Sequence, residues 1–465
     1  MSVVLSTRQR RVVAGALALA TGLSLVACTA TPDAEPEVAF DPTLEVTLTI
    51  GDLPPEANEA SRAQFLEQVE AFQLEYPHIT LNPIEETWDP QTFQAKLAGG
   101  NLPDVMFTAV TEAASIASRQ QVANLNDALR ITGLDEALNP DLVATVTGPD
   151  GGIYAIPTGV GPLGIIYNRV LFEQAGLDPD VPPATWDEVR EYAKLIVERT
   201  DAKTGFTPYA TQGTGGGWML AAGAAGFGGS LVSDDGTEAT LTSQPVVDFL
   251  TLYRDMRWED NTVGEMVVFG GAESYAEFSA DQVGMMIGHN GMYEPIIVRN
   301  EADPAIFGMG PMPVGGGATP GTLSGGGIQI VSPTTTLEEQ VAAVQWINYR
   351  HLRKFTDEAF AVDQAQAAAE SGASAHIPGY APVSEEQYEL YLEWIAPYNN
   401  VPIEQFAPFL NSRSTYVLRG EPALKTQEIY AETSVILQRI LEDESADPAT
   451  VLEEANTAVA RLLAR

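Results

Sequence analysis

The feature that most constrains this chain is a repeated change of hydrophobic period over its first folded stretch. Residues 44–50 alternate apolar and polar side chains with the period of two that half-buries a strand. Residues 56–76 then place Phe65, Leu66, Val69, Phe72 and Tyr76 on one helical face, and Pro77 stops that helix. A second strand over 79–84, a short helix over 90–98 and an apolar strand over 105–107 complete a β-α-β-α-β run. Parallel strands need crossovers of this length, so the rhythm predicts an α/β domain with a largely parallel sheet.

Further along, residues 152–156 and 163–167 read as strands, and Thr185-Trp186-Asp187-Glu188 is a capping box opening a helix to about Arg199. Residues 213–229 are rich in glycine and alanine around Trp218 and Phe227, and residues 308–327 are rich in glycine and proline. Glycine is costly in regular elements, so both stretches are expected to be crossovers or loops that approach something closely. Residues 337–355, 384–394 and 423–441 carry apolar 3.6 periodicity, with a last helix over 448–463. At 465 residues the chain is long enough for two or three domains.

Before the first strand, Arg8, Arg10 and Arg11 precede an apolar run over 12–27, too short for the ~20 residues that span a bilayer. This reads as a signal peptide over 1–27. The chain's single cysteine, Cys28, ends Leu25-Val26-Ala27-Cys28, which resembles the lipobox whose cysteine is diacylated and becomes the mature N-terminus. Residues 28–42, with three prolines and four acids, have the composition of a flexible tether. One cysteine excludes internal disulfides and cysteine-rich metal sites. A formal charge of −39 without any basic run argues against nucleic acid as a partner and leaves a lipid anchor as the only membrane contact.

No nucleophile elbow, HExxH or Walker A sequence is present, and His78, His289, His351 and His376 are too scattered to suggest a metal site. Gly159-Val160-Gly161-Pro162-Leu163-Gly164 matches GxGxxG, but Pro162 and the β-rich Ile165-Ile166-Tyr167 oppose the helix that would hold a pyrophosphate. Paired carboxylates keep a secreted carbohydrate-active enzyme as an alternative, though 63 acidic residues make such pairs uninformative. Trp186, Trp258 and Trp346 sit in core-like patterns, whereas Trp88 and Trp218 sit in expected loops. Sugars stack apolar C–H faces on such rings while their hydroxyls need polar partners, so these two are candidates for a carbohydrate cleft.

The order of motifs resembles a known family. Gly99-Gly100-Asn101-Leu102-Pro103-Asp104-Val105, Gly152-Ile153-Tyr154-Ala155-Ile156-Pro157 with Ile166-Tyr167-Asn168, and Pro183-Ala184-Thr185-Trp186-Asp187-Glu188 follow the lipobox. Val283-Gly284-Met285-Met286-Ile287-Gly288, Gly310-Pro311-Met312-Pro313 and Gly325-Gly326-Gly327-Ile328 come later. This series is similar to the extracellular solute-binding protein family 1 of ABC importers, the maltose-binding-protein-like sugar receptors. The resemblance implies a two-lobed, type II periplasmic-binding-protein-like (Venus-flytrap) fold with interlobe crossovers near 157–161, near 317–325 and after Phe355. The lobes would be 43–158 plus 325–360 and 159–324 plus 361–465.

The resemblance also implies ligand-lining positions: Thr108, Thr111 and Glu112 after the PDV strand, Trp218, Gly326, Tyr380, Arg413, and His289 and Asn290 after the Met-Met-Ile strand. Where relatives often carry Asn-Gly-Pro-Trp, this chain has Gly288-His289-Asn290-Gly291-Met292-Tyr293, with Tyr293 as the substitute ring. Gly161 stands where an acid contacts sugar in the type member. Few basic residues lie in these loops, which disfavours an anionic ligand and favours a neutral mono- or oligosaccharide, with a polyamine or other small solute as the alternative. No cofactor, metal or catalytic residue is implied; the partners are the permease subunits and their ATPase, and the receptor is a monomer. Cys28→Ser is expected to move the protein from the detergent phase to the aqueous phase on Triton X-114 partitioning of cells expressing it.

Overall fold

The computed structural model describes residues 40–208, 214–265, 271–319, 321–412, 417–419, 421–422 and 424–464. The expected leader, Cys28, the tether up to residue 39, and Arg413 lie outside the described residues. Twelve strands occur among them: β1 (Val46–Ile50), β2 (Ile79–Pro83), β3 (Val105–Ala109), β4 (Ile156–Pro157), β5 (Gly161–Pro162), β6 (Gly164–Asn168), β7 (Thr204–Thr207), β8 (Val283–Gly288), β9 (Phe307–Pro311), β10 (Gly321–Gly325), β11 (Gly327–Val331) and β12 (Val417–Arg419). They form one sheet ordered β2-β1-β3-β11-β4, a second ordered β7-β8-β6-β9, and a small third ordered β12-β10-β5.

Strands β1, β2 and β3 run parallel, as the opening rhythm predicts, but β11 runs antiparallel to both β3 and β4. In the second sheet β7 and β8 are parallel and β6 opposes both β8 and β9. Each sheet therefore has one reversed strand, the first one reached after a crossover: β5 leads into β6, and β10 into β11. A reversed strand starts where its neighbours end. Gly327 pairs with Ala109 at the end of β3, and Gly164 pairs with Gly288 and Pro311 at the ends of β8 and β9. Both crossovers thus emerge at the carboxyl ends of the flanking strands, where open α/β sheets bind ligands.

The two crossovers are bonded to each other, because β10 pairs antiparallel with β5 through Ser324↔Pro162 and Gly325↔Gly161. Gly326 has φ 102°, and a Cβ there would lie 1.8 Å from the Gly159 carbonyl oxygen. Only glycine meets both conditions. The GxGxxG run consists of this crossover and ends in β6, so no helix N-terminus faces it.

The glycine-rich stretches depart from expectation. Gly215–Gly226 is a helix, not a loop, and Trp218 lies on it. Its glycines are contact residues: a Cβ on Gly217 would stand 2.2 Å from the Tyr430 carbonyl oxygen, and one on Gly223 would stand 1.9 Å from the Phe249 ring. Small side chains let this helix meet the helix Thr426–Glu442 backbone to backbone, and that burial outweighs glycine's poor propensity. Likewise, residues 308–327 contain most of β9 and all of β10, with Tyr167 pressed 2.4 Å from where a Gly308 Cβ would be.

One core, under the first sheet, gathers Leu48, Ile50, Phe72, Leu125, Leu129 and Trp346; another, around the second, gathers Tyr167, Phe172, Trp186, Phe206, Phe249 and Tyr253. Thr185 and Glu188 form the predicted capping box of the helix Trp186–Arg199. Trp258 is half-buried, donating its Nε1–H to the Ile440 carbonyl at 2.8 Å. Packing does not follow the expected lobe boundary at residue 360. Ser384 N–H donates to the Ala137 carbonyl at 3.0 Å and Asn139 N–H to the Pro382 carbonyl at 2.8 Å. The rings of Tyr349 and Phe360 lie 5.6 Å apart, so the helices Glu358–Ser371 and Glu385–Ile395 connect to the first-sheet side as well. Gly326→Ala is expected to cost about 3 kcal/mol, read as a lowered urea midpoint at unchanged m-value.

Candidate functional site

Strand β3 delivers its last residues beside the crossover, where Val110 N–H donates to the Gly326 carbonyl at 3.1 Å. Thr108 is fully buried and its hydroxyl has no hydrogen-bond partner among the described residues. The Thr111 hydroxyl accepts a 2.9 Å bond from Gln427 Nε2, which comes from the first turn of the helix Thr426–Glu442. Glu112 is 2% exposed; its Oε2 accepts from Gln94 Nε2 at 2.6 Å, while its Oε1 is unpartnered. Burial raises the pKa of Glu112, and the Gln94 hydrogen bond opposes that shift. Trp88 packs half-buried against the Phe93, Met106 and Val110 cluster, and its indole N–H faces the Glu112 carboxyl, which helps oppose the rise in that group's pKa. Buried polar groups are normally satisfied, so these open valences mark where hydroxyl-bearing solutes gain most.

Across the crossover, Trp218 is half-exposed on an otherwise largely buried helix. Its indole edge lies 3.5 Å from the place of a Gly325 Cβ, and its Nε1 donates to Glu421 Oε1 at 3.2 Å. Glu421 Oε2 has no hydrogen-bond partner among the described residues, and burial pushes its pKa up to about 8 against the opposing Trp218 bond. An aromatic face with a carboxyl group locked to its edge can stack a sugar ring and accept or donate at a hydroxyl.

The remaining predicted residues form a second group. His289 follows β8, and burial lowers its pKa. Asn290 Nδ2 donates to the Pro378 carbonyl at 3.1 Å. Tyr380, half-buried, has its ring centroid 5.9 Å from that of Phe409, and its Cβ lies 3.8 Å from where a Gly161 Cβ would stand. The crossover over 159–164 therefore runs beside both groups. Tyr293, expected as the substitute stacking ring, is 2% exposed, with the rings of Phe307 at 5.1 Å and Phe406 at 5.7 Å enclosing it. Gly326 shapes the crossover and brings no side chain.

Four participants have no counterpart among the expected residues. Gln94, Glu421 and Gln427 reach the site through contacts 18, 203 and 316 residues apart in sequence, which no local pattern encodes. Asp52 was signalled weakly by the Gly51-Asp52 break after β1. It adopts φ 66°, its Oδ2 accepts from Phe107 N–H at 2.6 Å, and burial raises its pKa to about 6. Among the described residues no group of three or more His, Cys, Asp or Glu is placed to hold a metal ion. A groove of about 380 Å³ lined by Phe40, Tyr76, His78 and Val341 contains none of the predicted site residues.

The sequence profile of the family described as bacterial extracellular solute-binding protein matches residues 56–349. A binding protein of Brucella abortus (strain 2308) is 25% identical over 318 residues, covering 65% of this chain and 69% of its own. An ABC transporter solute-binding protein of Thermotoga lettingae, solved with α-D-tagatose, superposes with a TM-score of 0.69 at 20% identity, over 90% of this chain and 99% of that one. The GacH receptor of Streptomyces glaucescens, solved unliganded and with acarbose, gives 0.68 at 21% identity over 90% and 99%. The chain shares their two-lobed fold.

Because the Glu421 pKa is raised, the folded state holds a proton that the unfolded state releases above its ordinary pKa of 4.5. Its contribution to stability is complete below that value and is lost as pH rises to about 8. Urea unfolding between pH 5 and 8 is expected to lose stability at up to about 1.4 kcal/mol per pH unit from this group, and Glu421→Gln to flatten that slope.

Proposed function

The chain belongs to the bacterial extracellular solute-binding proteins, and on that premise we propose that it captures a neutral mono- or oligosaccharide between its lobes and delivers it to an ABC permease. The observation that carries this reading is the half-exposed Trp218 with its indole N–H on Glu421, facing a crossover whose other side holds Thr111, Glu112 and Gln427. Such a site recognises the two faces of a sugar separately, the apolar C–H face by stacking and the hydroxyls by hydrogen bonds. The similarity to proteins solved with tagatose and acarbose supports it.

The first sheet with 43–158 and 325–360 forms one lobe, and the second sheet with 159–324 and the helix Thr426–Glu442 forms the other, the hairpin 358–395 bridging toward the first. A ligand that touches both lobes selects the closed state, which the permease reads. The protein is tethered as a monomer to the outer face of the membrane through Cys28, and it turns over nothing. Two carboxyl groups with unpartnered oxygens beside an indole also suit a polyamine, the second reading.

Thermal unfolding against mono- and oligosaccharides, polyamines and glycerol phosphates tests this. A sugar at 100 times its Kd adds about 2.7 kcal/mol, a shift of a few degrees, with the sugar recovered unchanged. Trp218→Ala is expected to weaken that binding more than about tenfold. A shift with polyamines alone transfers the site to the second reading, and sugar cleavage overturns the receptor.

A further inference from the structure

With 63 acidic and 24 basic residues, a cation in this chain has little reason to lack an acidic partner. In the turn following the helix Leu337–Ile347, Arg353 behaves accordingly, pairing with Glu75 at 2.7 Å and Asp357 at 3.0 Å. Its neighbours Arg350 and Lys354 have no acid within ion-pair distance among the described residues. Arg350 belongs to a single π-helical turn, Asn348–Leu352, an insertion that rotates its side chain off the regular helical face. Its guanidinium lies 4.3 Å over the Phe65 ring and 6.0 Å from Trp346, which fixes its plane, and its N–H groups have no hydrogen-bond acceptor among the described residues. Lys354 sits 5.1 Å from the Phe355 ring.

Beside Arg350 opens a cavity of about 200 Å³ lined by Pro54, Ser61, Gln64, Phe65, Gln68, Arg350 and His351, without a single carboxylate. Asp52, which feels Arg350 electrostatically, turns its Oδ2 to Phe107 N–H instead. His351 stays neutral, because burial and the adjacent Arg350 and Lys354 hold its pKa down to about 3. A neutral imidazole still donates one N–H, and the amides and the serine add further donors. None of these residues belongs to the sugar site.

We propose that this cavity is a second ligand site, for a small oxyanion, with the Arg350 guanidinium as ionic anchor and Ser61, Gln64, Gln68 and His351 as hydrogen-bond partners. A planar guanidinium held by aromatic stacking is pre-organised for bidentate contact with phosphate, sulfate or carboxylate oxygens. The anion supplies the close counter-charge that Arg350 lacks among the described residues.

The test is isothermal titration of the full chain with inorganic phosphate at constant ionic strength, with chloride as the control and dihexanoyl phosphatidylglycerol below its micelle concentration as a parallel arm. Saturable one-to-one binding of phosphate identifies a free anion, and binding of the lipid alone identifies a headgroup; either supports the site. Arg350→Gln is expected to abolish binding. Gln64→Glu, an exposed change that leaves the core intact, is expected to weaken it about tenfold by placing a like charge in the lining. Absence of saturable binding in both arms, or binding that Gln64→Glu leaves unchanged, overturns the proposal.

Discussion

Two chain segments crossing between sheets hold each other through the short antiparallel pairing of β5 with β10, and most of the architecture follows from that contact. Because Gly325 pairs with Gly161 and Gly326 runs against the Gly159 carbonyl, the crossovers form one strip of backbone. Each then enters its sheet as the reversed strand, bringing the carboxyl ends of β3, β8 and β9 to that strip. The residues proposed for recognition sit on loops and first turns hung from these ends. Their position is a consequence of topology before any side chain is considered.

The electrostatics follow the same geometry. Glu112, Glu421 and Asp52 all lie close to the strip, and in each burial is the largest influence and raises the pKa. Three desolvated carboxyl groups in one region are costly, and each is compensated through a neutral donor: Gln94, Trp218 and the Phe107 amide. A site built from amide, indole and carboxyl groups discriminates by hydrogen-bond geometry more than by net charge. The Arg350 guanidinium stands at the edge of this region, in a cavity whose lining holds no acid, and acts on Asp52 only through space.

The opening alternation was legible because period two and period 3.6 report directly on which faces are buried, so β1, β2, β3 and the helices between them fall close to where the pattern places them. The capping box at Thr185 was legible because it is a local hydrogen-bond signature. The helix Gly215–Gly226 was not, since its glycines answer to Tyr430 and Phe249, partners that only the fold brings near. The reversal of β11 was equally hidden, because strand direction leaves no trace in hydrophobic period. In the candidate site, motif order named Thr111, Glu112 and Trp218, while their partners Glu421 and Gln427 arrive from the far end of the chain. The burial of Tyr293 was not legible, because the turns after β8 roll it into the core formed by Phe307 and Phe406.

The late return of the chain to both sheets also sets the order in which the molecule assembles. The first sheet needs β11 between β3 and β4, so its strands wait until residue 331 is available. The second core waits longer, because the glycine face of the helix Gly215–Gly226 is covered only by Thr426–Glu442, and Leu452 and Val459 complete the same cluster. Contacts of such long sequence separation form slowly. Neither sheet is therefore complete until most of the chain is available, and both lobes close their cores only with segments from the last third of the sequence.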